Sequence, residues 1–150
     1  SGVHLGGVHI AAASVIGDTA HVANVGDSRA YFINDEGIHQ ITTDHSLVER
    51  LVALGQITAG EARVHPQRNV IYRTVGDKEE VEADFFVQRL NPGDSLLLCS
   101  DGLSGKVEDA EIWRLVKRCR SPQEACEQLV QAANDRGGHD NATVIIVQAQ

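Results

Sequence analysis

The 150-residue sequence contains no methionine and few aromatic residues, with one Trp, two Tyr and three Phe. The chain therefore has too few aromatic side chains to form a platform on which the bases of single-stranded nucleic acid would stack. Basic residues are also scarce, since 13 Lys and Arg against 21 Asp and Glu give a net charge of −8. That is the wrong sign for a protein that neutralises phosphate backbones, and we expect no nucleic-acid partner. Because a natural reading frame begins with Met, the sequence favours a processed or excised chain.

Long hydrophobic runs and paired cysteines are missing as well. The longest apolar runs have about four or five residues, far short of the ~20 that span a bilayer, so we expect a soluble domain without membrane association. Cys99, Cys119 and Cys126 form neither an even disulfide set nor a CxxC pair. We interpret them as buried thiols in a reducing compartment, and predict a cytoplasmic location. The length predicts a single domain.

Strand-like and helix-like patterns follow one another along the chain. Alternating apolar residues at 9–16 and 19–25, joined by Gly17-Asp18, predict a hairpin that 29–34 and 38–41 extend into an antiparallel meander. Helical spacing and capping residues predict helices at 46–54, 58–63, 108–119 and 121–137. Further strands are predicted at 83–88, at 95–100 with burial on both faces, and at 142–147 as another buried strand. The expected fold is an α+β domain with helices over antiparallel sheet.

Three aspartates stand where apolar strands end, each with glycine close by. Asp27 follows Val25-Gly26, Asp101 precedes Gly102 after the strand at 95–100, and Asp140 lies just before the strand at 142–147. Taken singly, each is more simply a turn former. Together they point to a shared site, because sheet pairing can bring strand ends to one edge and clustered carboxylates require a neutralising cation.

Carboxylates without Cys or His at ligand spacing select hard cations, and Mg²⁺ or Mn²⁺ is favoured over Zn²⁺. A pair of such ions activates and orients a water for attack on phosphorus. The residues alone therefore suggest a metal-dependent phosphatase.

Five segments, in this order, resemble the motifs of a known family. They are 25–31 (VGDSRAY), 43–48 (TDHSLV), 65–76 (HPQRNVIYRTVG), 97–104 (LLCSDGLS) and 138–143 (GHDNAT). The sequence is similar to the bacterial metal-dependent protein serine/threonine phosphatases of type 2C, the PPM family, over about the C-terminal two thirds of their domain. The resemblance implies an α+β fold, a β-sandwich of antiparallel sheets flanked by helices, here without its leading strands. Residues 1–150 would then be a single partial domain.

The resemblance also implies roles for particular residues. Asp101 and Asp140 match two aspartates of a binuclear Mn²⁺ or Mg²⁺ centre, and Asp27 matches the aspartate of an additional, weaker metal site. Gly102 and Asn141 would lie beside these ligands, and Arg29 would be structural. A flap-like segment at about 56–76 would border the substrate cleft. There Arg68 and Arg73 would meet a phosphorylated protein, although a solvated loop is the simpler explanation for both.

The sequence also departs from the family pattern. The family's leading Arg, its Asn-Glu-Asp run and its Asp-Gly-x-Gly-Gly-His segment do not occur, and Val8 and His9 stand where two threonines are usual. We assign no catalytic residue beyond the metal ligands, and none of the histidines, His139 included. Three functions stay open: an active phosphatase, a catalytically inactive module that binds metal, phosphoprotein or a regulatory partner, and a domain in which the aspartates only form turns. Unpaired sheet edges predict a homodimer.

Overall fold

The first hairpin forms as its residues predict. The computed structural model describes residues 9–72, 82–137 and 141–150. In it, strand β1 (Ile10–Ile16) pairs antiparallel with strand β2 (Thr19–Val25), in the register Ile10↔Val25 to Ile16↔Thr19. Gly17 occupies the turn with a φ of +62°, a conformation that glycine adopts without strain. The two-residue connection therefore fixes which side chains of β1 and β2 face the core.

The other elements follow in chain order. The remaining strands are β3 (Arg29–Asn34), β4 (Gly37–Gln40), β5 (Asp84–Arg89), β6 (Ser95–Cys99) and β7 (Val144–Gln148). The helices are α1 (Leu47–Ala53), α2 (Ala59–Val64), α3 (Asp101–Ser104), α4 (Asp109–Arg118) and α5 (Pro122–Asp135). The short helix α3 replaces the simple turn that was expected after the strand at 95–100.

The strands form two sheets, not the meander that the sequence suggested. One sheet has the order β1-β2-β5 and the other β4-β3-β6-β7, with antiparallel neighbours throughout. The prediction was wrong because the chain leaves the first sheet at Gly26, which has a φ of +100°. Ala30 of β3 packs face to face with Ala20 and Val22 of β2 in one buried cluster, so β3 lies opposite β2 and does not pair with it.

Two layers of apolar side chains hold the domain together. One lies between the sheets, and the other lies between the four-stranded sheet and helices α4 and α5, where Leu97, Ile112 and Leu129 are almost fully buried. Helix α5 begins as predicted, with Ser121 accepting a hydrogen bond from the Glu124 N–H and Pro122 in the first turn. The α+β class and the β-sandwich with flanking helices are both confirmed.

Among the described residues, some faces of the two sheets are not covered by other elements. Strand β7 buries only one face, since Val144 and Ile146 pack towards the helices while Ile145 is 53% exposed. Its prediction as a fully buried strand was therefore wrong, because β7 ends its sheet and its other face is uncovered. On the outer face of the other sheet, Phe85 is 78% and Val87 69% exposed.

The cysteines fit the prediction only in part. All three are free thiols, but Cys99 alone is buried, while Cys119 and Cys126 on helix surfaces are half-buried. Burial raises the pKa of the Cys99 thiol to about 12, so it is protonated and unreactive at neutral pH. In residues 9–72, 82–137 and 141–150 the helices fall short of the length and hydrophobicity that a bilayer crossing requires.

Candidate metal centre and cleft

Two of the three predicted aspartates open onto one cleft. Asp27 follows β2 and Asp101 begins α3, directly after β6. The cleft has a volume of about 520 Å³ and separates the sheet ends and α3 from helices α1 and α2. Its charged lining residues are Asp27, Arg29, Asp44, Glu49, Arg63, Arg68, Asp101, Lys106, Glu108 and Asp109. Asp140 lies outside the described residues.

Asp27 carries the electrostatic signature expected of a metal ligand. Its side chain is only 13% exposed. Burial, and then the negative charge of Asp101, raise the pKa of Asp27 to about 6, while the neighbouring His9 opposes the shift. The ionised form of Asp27 is thus disfavoured until a cation neutralises the pair.

One oxygen of Asp27 has a histidine as its close neighbour. Oδ1 is buried, and His9 Nδ1 lies 2.6 Å away in an ion pair. His9 is a site residue that the sequence analysis missed. The signal that could have found it was the register of the predicted hairpin, which continues past Ile10↔Val25 to bring residue 9 opposite residue 26, beside Asp27.

Gly102 allows two predicted site segments to approach closely. A Cβ at this position would lie 2.5 Å from the backbone oxygen of Asn141, so only glycine fits. Ser100 joins the same segments, because its N–H donates to Thr143 O and its Oγ accepts from Thr143 N–H at 3.0 Å. The backbones of Gly102 and Asn141 are therefore in direct contact.

Arg29 is structural in this geometry, as the resemblance implied. Its Nε and Nη2 donate to the Asp44 carboxylate, at 2.9 Å to Oδ1 and 2.7 Å to Oδ2. Burial is the largest single influence and works against the charge, but the hydrogen bonds and negative charges of Asp44 and Tyr31 together outweigh it and raise the pKa of Arg29 above its usual value. Nη1 also donates to Tyr31 Oη, which donates to Asp109 at the start of α4. A chain of bonds therefore connects the wall of the cleft to the helix layer.

His45 fixes the turn that carries Asp27. It is 2% exposed, its Nδ1 accepts the Gly26 N–H at 2.9 Å, and its backbone N–H donates to Gly26 O. Because Nδ1 is an acceptor, the ring proton belongs on Nε2, which lies 2.7 Å from Asp84 Oδ2. His45 thus ties the Gly26-Asp27 turn to β5.

The flap, defined as residues 56–76, is described as far as residue 72. Its helix α2 starts with the predicted capping box between Thr58 and Glu61. Arg63 reaches across the cleft, where Nη1 donates to Ser104 O at 3.2 Å and Nε lies 3.7 Å from Glu108. Arg68 lines the cleft, while Arg73 lies outside the described residues.

The described side chains suit a hard cation but do not form a complete coordination sphere for it. Within the described ranges, no group of three or more His, Cys, Asp or Glu residues is arranged around one point. The carboxylates of Asp27 and Asp101 and the other oxygen-bearing residues of the cleft nevertheless suit a Mg²⁺ or Mn²⁺ ion with several bound waters.

Comparison with known proteins gives the class. The family model described as Stage II sporulation protein E (SpoIIE) matches residues 11–150. The chain belongs to this SpoIIE/PP2C-type family. It is 39% identical over 142 residues to the "Serine/threonine phosphatase stp" of Listeria innocua, covering 95% of this chain and 56% of the relative.

Solved structures agree in fold. The crystal structure of the serine/threonine phosphatase Stp1 from Staphylococcus aureus superposes with a TM-score of 0.91 at 46% identity, over 95% of this chain and 56% of that one. The catalytic domain of the serine threonine protein phosphatase PstP, in complex with two manganese ions, gives a TM-score of 0.84 at 34% identity, over 93% and 57% of the two chains. The chain thus spans about 56% of the length of these relatives.

Proposed function

We propose that this chain is part of a protein serine/threonine phosphatase that hydrolyses phosphoserine and phosphothreonine with a divalent metal. The observation that carries the proposal is the convergence of Asp27 and Asp101 on one cleft, where the charge of Asp101 contributes to a raised pKa of Asp27. In support of the proposal, the family is metal-dependent, and the relatives described above are named serine/threonine phosphatases. We propose residues 1–150 as a single partial domain of this kind.

The proposed ligands are Asp101 and Asp140 for a binuclear Mn²⁺ or Mg²⁺ centre and Asp27 for an additional metal. Gly102 and Asn141 keep the two ligand-bearing segments close together. When bound, such ions polarise the phosphoryl oxygens and provide a nucleophilic water at neutral pH. The buried Arg29–Asp44 pair keeps its guanidinium occupied, so the arginine stabilises the wall of the cleft and does not bind the substrate phosphate.

The proposed substrate is a phosphorylated segment of another protein, bound between the flap and α3. Arg68 lines this cleft beside the carboxylates, and Arg73 follows it in the same segment. Arginine recognises phosphate through paired N–H donors. The phosphate would therefore lie towards the aspartates, with its peptide against the flap.

The test is phosphate release from a phosphothreonine peptide with Mn²⁺ and then with EDTA. We expect turnover with Mn²⁺ that EDTA abolishes, and a loss of at least about a hundredfold in Asp101→Asn and Asp140→Asn. Asp18→Asn is the matched control, because this exposed aspartate sits in the β1–β2 turn with Arg89 and far from the cleft. Turnover that persists in EDTA, or equal losses in all three variants, would contradict the proposal.

The test also separates the alternative of an inactive module. A folded chain that binds Mn²⁺ without turnover would be a metal-binding scaffold and not a working phosphatase. The names of its relatives do not favour that outcome.

We further propose that the chain self-associates through its sheet edges and works in the cytoplasm. Strand β1 ends its described sheet and has neither charge nor proline to discourage pairing. Val15 on this strand is 41% exposed. Light scattering after size-exclusion chromatography should show a dimer that Val15→Lys converts to monomer, and a wild-type monomer at high concentration would contradict it. The free thiols support a reducing compartment.

A further inference from the structure

We infer that Arg63 is a specificity-determining residue, whose side chain forms a strap between the flap and the opposite wall of the cleft and limits which phosphorylated segments enter. The strap consists of two contacts, from Arg63 Nη1 to Ser104 O at 3.2 Å and from Arg63 Nε to Glu108 Oε1 at 3.7 Å. The inference rests on the proposed function and adds to it a residue that selects substrates by size.

The wall that receives the strap is firm. Ser104 ends α3 and is 5% exposed, and its neighbours Leu103 and Val107 are fully buried. The carbonyls of Asp101 and Leu103 accept backbone N–H groups from residues that follow them, whereas Ser104 O accepts the N–H of Arg63. Arg63 thus supplies a donor that the last carbonyls of a helix require, and it does so from another part of the chain.

The flap side of the strap is held more weakly. Neither α1 nor α2 contains a buried residue, and the capping box of α2 between Thr58 and Glu61 is exposed. Of the side chains of α2, Arg63 alone forms a hydrogen bond or an ion pair across the cleft within the described ranges. Because segments with few buried contacts open at a low cost in free energy, the strap has a large share in keeping α2 against the cleft.

The position of the strap restricts entry to the cleft. Arg63, Ser104 and Glu108 line the same cleft as Asp27 and Asp101. A bridge between the two walls leaves room for a small phosphate ester, but a polypeptide that lies along the cleft needs the space that the arginine side chain occupies. The strap opens readily, because the side chains of Arg63 and Glu108 are 34% and 74% exposed and both charges stay hydrated when they separate. A phosphorylated protein segment therefore enters when the strap is open.

The experiment compares the wild-type chain with Arg63→Gln in the presence of Mn²⁺. Hydrogen exchange followed by mass spectrometry measures the opening of α2 without turnover. The KM for a phosphothreonine peptide of about ten residues, divided by the KM for p-nitrophenyl phosphate, measures how strongly the cleft discriminates by size. Arg89→Gln is the matched control, because Arg89 forms an exposed ion pair with Asp18 away from the cleft.

We expect Arg63→Gln to speed exchange in α2 and to lower the KM ratio, each by roughly three- to tenfold, with both quantities unchanged in Arg89→Gln. The loss of one intramolecular hydrogen bond shifts an equilibrium by about that factor, and a larger open fraction lowers the apparent KM in proportion.

The other outcomes overturn the inference in distinguishable ways. Unchanged exchange in α2 would show that Arg63 does not hold the flap. Faster exchange with an unchanged KM ratio would show that the flap does not control entry, and a raised KM ratio would show that Arg63 grips the peptide. All three results leave the metal centre standing. If the wild-type chain turns over neither substrate, the proposed function fails, and this inference fails with it.

Discussion

Removing the carboxylate of Asp44 should destabilise the domain by about 3 kcal/mol. The side chains of Asp44 and Arg29 are 10% and 20% exposed, and the carboxylate accepts two close N–H groups from the guanidinium. Breaking a buried ion pair costs about 3–5 kcal/mol, since the remaining charge is left without a partner. We expect the lower end of that range in Asp44→Ala, because Arg29 keeps its bond to Tyr31 and some contact with water.

Urea unfolding followed by fluorescence measures this loss. Trp113 is the single tryptophan, and its Nε1 donates to Asn34 O between α4 and the end of β3, so it reports on the folded core. Circular dichroism should give the same transition midpoint if unfolding is two-state. A cost near 3 kcal/mol would be a large part of the roughly 5–15 kcal/mol that stabilise a domain.

The double variant Arg29→Met/Asp44→Leu separates two explanations. If the cost comes from an unpaired buried charge, replacing both residues by apolar ones should restore stability to within about 1 kcal/mol of the wild type. A loss below about 1 kcal/mol in Asp44→Ala, as for an exposed pair, would refute the reasoning. So would a double variant as unstable as the single one.

Three further predictions concern the cleft. In EDTA, Asp27→Asn should raise the free energy of unfolding at pH 7–8, because a carboxyl whose pKa is raised from 3.8 to about 6 in the folded state costs stability once it is ionised. This gain in stability should fade as the pH drops from 6 to 4. A stability difference between variant and wild type that stays constant over this pH range would contradict the prediction. Gly102→Ala should weaken Mn²⁺ binding in titration and lower the free energy of unfolding in urea by about 1–3 kcal/mol, since its Cβ would strike a backbone oxygen. Gly60→Ala is the control and should not destabilise the domain, because the nearest atom to its Cβ would be 3.9 Å away. Arg63→Ala should change the free energy of unfolding by less than about 0.5 kcal/mol, because its ion pair with Glu108 is exposed. The same variant should speed amide hydrogen exchange in α2. Unchanged exchange would mean that the Arg63 contact does not hold the flap.

The elements set by neighbouring residues could be read from the sequence. The turn at Gly17, the capping box at Thr58 and the start of α5 at Ser121 depend on residues within about four positions of each other. The division into two sheets could not, because the pairing of β2 with β5 joins residues that are 60 (Asn24↔Asp84) to 70 (Thr19↔Arg89) positions apart. Nothing local distinguishes a strand that pairs with β2 from one that faces it across the core.

The candidate site divides in the same way. Asp27 and Asp101 could be predicted, since each marks the end of an apolar strand and their meeting needs only a shared edge. The register of the predicted hairpin could have placed His9 beside Asp27, but the close packing of its ring on Gly26 could not be predicted from the sequence. The path from Arg29 through Tyr31 to Asp109 also escaped prediction, as its last bond spans 78 positions.

The cleft shows why its support must be rigid. Asp27 is buried close enough to Asp101 for the two charges to oppose each other, and such a pair would move apart if the backbone allowed it. The turn is prevented from moving by His45, which binds both the N–H and the carbonyl of Gly26 and reaches Asp84 on β5. The repulsion between Asp27 and Asp101 is therefore maintained by the hydrogen bonds of His45 behind the turn, and a cation that binds in the cleft gains affinity by relieving that repulsion.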